Sequence, residues 1–91
     1  MSTNIEPTEG VAASIHDAGV MLLHTVKGRL FASNHIGARI WQGLEQRLPV
    51  QTIAAEISRE YRIPRETALD HIVRFLAELE GQRLVERRVD Q

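Results

Sequence analysis

The chain has 91 residues, 43% of them hydrophobic and 25% charged, which suits one small folded domain and leaves no room for a second. A formal net charge of −1 denies it the basic excess with which nucleic-acid and anionic-membrane binders attract their partners, and the absence of cysteine excludes a disulfide frame or a thiolate metal site. No run of about 18 apolar residues occurs and the first ten residues lack the basic start and apolar stretch of a secretory signal, so the expectation is a cytoplasmic protein with no membrane partner.

Residues 1–10 are mostly polar or turn-forming and are expected to be a flexible arm, followed by a single folded domain over 11–88. From Ala12 to Ser33, clusters of Val, Ile, Leu and Phe are punctuated by Asp17-Ala18-Gly19 and Lys27-Gly28, which predicts three short antiparallel strands. Val20 to Val26 reads as the middle one. Lys27-Gly28 is suited to a two-residue hairpin turn, so Arg29 to Ser33 should pair back onto it.

Asn34 is a good N-cap, and Ile36, Ile40, Trp41, Leu44 and Leu48 then recur at three- and four-residue spacing, the mark of an amphipathic helix. After Pro49 the same pattern returns in Val50, Ile53, Ala54, Ile57 and Tyr61. Pro64 ends that helix, and a third runs from Arg65 to about Gly81. The fold class is therefore α+β: a three-stranded antiparallel sheet followed by three α-helices, like a winged helix-turn-helix with the sheet moved ahead.

Sites for chemistry are not evident. His16, His24, His35 and His71 have no metal-binding spacing, Ser14, Ser33 and Ser58 lack the turn that presents a nucleophile, and the glycines form no phosphate loop. No catalytic residue, metal or cofactor is expected, and Trp41 reads as a core filler. On the third helix the apolar residues span an arc of about 160°, wider than the roughly 100° needed to face one core. Ile72 and Leu79 lie near its centre, Ala68 and Phe75 on one flank, Leu69 and Val73 on the other. The extra width either packs against both the sheet and the other two helices or walls a groove.

The stretch Arg29-Leu30-Phe31-Ala32-Ser33-Asn34-His35-Ile36-Gly37-Ala38-Arg39-Ile40-Trp41 resembles the signature of the PqqD-like family. Ile53-Ala54-Ala55-Glu56-Ile57 with Tyr61, and Phe75-Leu76-Ala77-Glu78-Leu79 leading to Leu84-Val85, resemble its second and third helices. Two positions depart from the pattern: Arg83 stands where relatives often carry Gly, with Gly81 as a candidate replacement cap, and His71 stands where Asp is frequent.

The resemblance implies a recognition element for ribosomally made, post-translationally modified peptides. The leader segment of the precursor peptide would dock as an extra strand beside Arg29 to Ser33, facing the third helix. Members of the family act with a modifying enzyme such as a radical enzyme, a peptidase or a cyclase. Arg29, Leu30, Phe31, Ala32 and Ser33 are then expected to offer backbone contacts and Leu69, Val73 and Leu76 apolar anchors. The alternative is a DNA-binding winged-helix regulator, against which the mixed charge of the third helix argues. An open strand edge also allows a weak dimer beside the monomer.

Overall fold

Antiparallel pairing joins the two ends of the chain as well as its middle. The structure, a computed structural model, describes residues 2–90. Along the chain run β1 (Ser2–Pro7), β2 (Val11–His16), β3 (Gly19–His24), β4 (Arg29–Ser33), α1 (His35–Glu45), α2 (Val50–Tyr61), α3 (Arg65–Gly81) and β5 (Val85–Asp90). The strands form two sheets, β2-β3-β4 and the ribbon β1-β5. The sheet-then-helices order is as the periodicity predicts.

Two differences stand out. The expected arm is, over Ser2–Pro7, a strand paired in register with β5 from Ser2 opposite Asp90 to Pro7 opposite Val85. The middle strand stops at His24 rather than Val26. Its hairpin has the four-residue loop Thr25–Gly28, not a two-residue turn, because Gly28 takes φ 67° and donates its N–H to His24 O at 2.7 Å. Val26 is left at the exposed tip.

Alternation along β3 sends Val20, Leu22 and His24 inward to be buried, and Met21 and Leu23 outward. The buried row meets Ile40, Trp41 and Leu44 of α1, Ile53 and Ile57 of α2, and Ile72 and Leu79 of α3 in one core. Trp41 is 1% exposed, as its place on the apolar face predicts. Asn34 caps α1, its side-chain oxygen accepting from Gly37 N–H at 3.0 Å. Helix α2 is tied to α1 by Arg39, which bonds Glu56 and Glu60. No helix among the described residues is long and apolar enough to cross a membrane.

Candidate functional site

In the sheet order β2-β3-β4 the outer edge of β4 has no strand beside it among the described residues. Ladder alternation identifies the groups it presents. Thr25 N–H donates to Gly10 O at 2.9 Å, so the backbone of Thr25, and by alternation of Leu23 and Met21, faces β2. His24, Leu22 and Val20 then face β4, and their partners Arg29, Phe31 and Ser33 turn their own groups back to meet them. The N–H and C=O of Leu30 and Ala32 are left aimed out of the sheet. Such unpaired backbone groups are a template for another strand.

The other edge, β2, is less suited to a guest. Val11 N–H already donates to Thr8 O at 3.3 Å, and the helices approach the sheet at β3 and β4. Beside β4 stands α3. The Phe31 and Phe75 rings lie 6.1 Å apart at an interplanar angle of 52°, a tilted aromatic pair that joins strand to helix. A cavity of about 160 Å³ continues from it, between Ser33 at the end of β4, Gly37 in the first turn of α1, and His71, Arg74, Phe75 and Glu78 of α3.

Gly37 is what lets these three elements meet. A Cβ there would lie 2.3 Å from Ser33 Oγ and 3.0 Å from the Phe75 ring. The exposed lining of the cavity is mostly polar, with His71, Arg74 and Glu78 along α3, while Phe75 is buried at its side and Phe31 half-buried beyond it. Arg74 pairs with Asp70 at 3.1 Å one helical turn away, an exposed pair that contributes little to stability and leaves both groups available at the surface.

Of the residues singled out from sequence, Arg29, Leu30 and Ala32 are exposed and Phe31 and Ser33 half-buried. The structure brings all five to the open edge. The helical anchors fall elsewhere: Leu76 is buried in the core, Leu69 is half-buried against it, and Val73 is 61% exposed. None of the three lines the cleft. Val73 and Phe75 are two residues apart, hence about 200° around the helix, so they face opposite ways. It is the Phe75 flank of the wide arc that meets the sheet. His71, Arg74, Phe75 and Glu78 are the α3 residues that line the cavity, and the arc is symmetrical about Ile72 and Leu79, so its pattern does not say which flank is which.

No cluster of three His, Asp or Glu side chains arranged for a metal occurs among the described residues. Known proteins share this fold. Among solved structures, TbiB1 in complex with the TbiA(beta) leader peptide matches with a TM-score of 0.84 at 30% identity, over 93% of this chain and 99% of that one. Lasso peptide synthetase B1 complexed with the leader peptide shares the fold, with a TM-score of 0.82 at 20% identity over 91% and 98%. No curated protein matches in sequence. The family model described as coenzyme PQQ synthesis protein D (PqqD) matches residues 19–85, from the first residue of β3 through α3 to the start of β5. The chain belongs to the PqqD family.

Proposed function

We propose that this protein binds the leader segment of a ribosomally made precursor peptide as a fourth strand along β4 and presents it to a modifying enzyme, such as a radical enzyme, a cyclase or a leader peptidase, with no chemistry of its own. The observation that carries the reading is the open edge itself: the outward N–H and C=O of Leu30 and Ala32 stand next to the Phe31–Phe75 pair that joins β4 to α3. Two relatives of the same fold are complexes with leader peptides, which supports it.

Energetics set the division of labour. Each backbone hydrogen bond nets about 0.5 to 1.5 kcal/mol, and ordering a disordered leader offsets much of the total. A leader side chain buried beside Phe75 adds roughly 1.5 to 3 kcal/mol, so the cleft supplies discrimination while the strand supplies alignment. The revised anchor set is Phe31, Phe75 and the rim of His71, Arg74 and Glu78, in place of Leu69, Val73 and Leu76.

A duplex-binding reading has less support. Helix α3 sets Arg65 and Arg74 against Glu66, Asp70, Glu78 and Glu80, and Arg74 already faces Asp70, so phosphates would meet repulsion as well as attraction.

The deciding experiment is titration calorimetry with a synthetic leader peptide, starting from the TbiA(beta) leader with which the similar TbiB1 is in complex. Wild type should bind it, and Ala32→Pro should not. Proline at Ala32 deletes one outward N–H at an edge position where the ring is tolerated, so the circular dichroism spectrum should be retained. An unchanged affinity in Ala32→Pro would refute strand addition at β4.

A further inference from the structure

The sheet has a second face, and at β4 it is exposed. Leu30 is 63% exposed, and its neighbours across the sheet, Leu23 and then Ala12, are exposed on the same side. Met21, 39% exposed, sits in the next row between Ser14 and Ala32. These apolar rows end at the open edge. Leu30 is also one of the two residues whose backbone groups point out of that edge, so a guest strand necessarily sets one of its residues directly opposite Leu30.

Residues directly opposite one another in a sheet project from the same face, with Cβ atoms about 5 Å apart, whichever way the strands run. The guest residue opposite Leu30 therefore emerges on the outer face, against the Leu30 side chain. Its neighbour opposite Phe31 emerges on the inner face, toward Phe75. Ala32, small and two residues on from Leu30, leaves space on the outer face for a large side chain to lean into.

We infer that the leader is read from both faces of the sheet: a large apolar residue opposite Leu30 completes the outer row of Ala12, Leu23 and Leu30, beside an apolar neighbour in the cleft. This rests on strand addition at β4. Its consequence for sequence is specific. A one-sided groove selects apolar residues at every second position, whereas two-sided reading selects an adjacent apolar pair, one residue for each face. Leu30 is thus a specificity-determining residue rather than only a backbone contact. Leu23 does not adjoin the edge and supports it from behind.

The test is selection of a phage-displayed library of random ten-residue peptides on the full chain, with Leu30→Lys and Leu30→Thr in parallel. Both variants change a mostly exposed side chain, and Thr keeps the strand preference, so a folded control is assured. Peptides enriched on wild type should carry adjacent apolar residues. On Leu30→Lys the cleft residue should persist while its neighbour turns acidic, and on both variants the outer apolar preference should fall by about five-fold, the scale of one cross-strand pair. Enriched peptides with apolar residues only at alternate positions, unaffected by either substitution, would overturn the inference and leave the outer face to an enzyme or a second copy. Failure of wild type to enrich any peptide would instead remove strand addition itself.

Discussion

Three arginines, Arg47, Arg62 and Arg83, hold a left-handed backbone with φ of 59°, 55° and 59°. Each terminates a helix. At the end of α1 Leu48 N–H donates to Gly43 O at 3.0 Å, and at the end of α3 Leu84 N–H donates to Leu79 O at 2.9 Å, the closure in which glycine is the usual left-handed residue. This accounts for the departure from the family pattern at Arg83. Gly81 does not replace the expected glycine, since it is the last residue of α3, and Arg83 itself takes the left-handed turn. A residue with a Cβ pays about 1 to 2 kcal/mol there, and glycine gives back about 0.5 to 1 through its freer unfolded chain. Arg83→Gly and Arg62→Gly should each therefore raise stability by roughly 0.5 to 1 kcal/mol in urea unfolding, with leader affinity unchanged. Arg47→Gly should gain less, because Arg47 reaches Glu6 at 3.5 Å.

Among the elements, those with a clean period were legible: β3 with its buried Val20 and Leu22, and the three helices with their apolar stripes. What a one-dimensional pattern lacks is the direction in which a stripe faces. Both flanks of α3 are apolar, and only the fold assigns Phe75 to the sheet and leaves Val73 exposed. Val73→Asp should accordingly leave leader affinity within about two-fold of wild type by calorimetry, whereas Phe75→Leu, which keeps most of the apolar volume, should weaken it by about three- to ten-fold through loss of the aromatic pair. Leu79→Asp places a charge at a fully buried position and should unfold the domain. The junction of β4 with α1 was equally hidden in the sequence. Gly19 adopts φ 146°, and a Cβ on it would lie 2.0 Å from Ser33 O, so Gly19→Ala should cost about 2 to 4 kcal/mol and disturb the edge proposed for the leader.

At the scale of the whole molecule, the ends of the chain close on each other. Neither β1 nor β5 carries the alternating apolar pattern of a strand with one buried face, and their pairing spans almost the full sequence, so no local window reveals it. The hints are few: Ile5, half-buried against the core, and Val85, 5% exposed. The ribbon nonetheless covers the domain. Ile5 and Glu6 lie over Leu44, Leu48 and Val50, and Glu6 is 8% exposed beside Arg47. A domain of this length is stable by only about 5 to 14 kcal/mol. Losing the β1 ladder and the cover of Ile5 would remove roughly 3 to 5 kcal/mol of it, summed over a few net hydrogen bonds and one partly buried side chain. Deletion of residues 2–7 should hence lower the urea midpoint markedly, whereas removal of a free arm would leave it in place. Because β1 belongs to the other sheet, the β4 edge survives the deletion. Leader affinity measured without denaturant on the folded fraction should stay within about two-fold, which separates what holds the fold together from what recognises the guest.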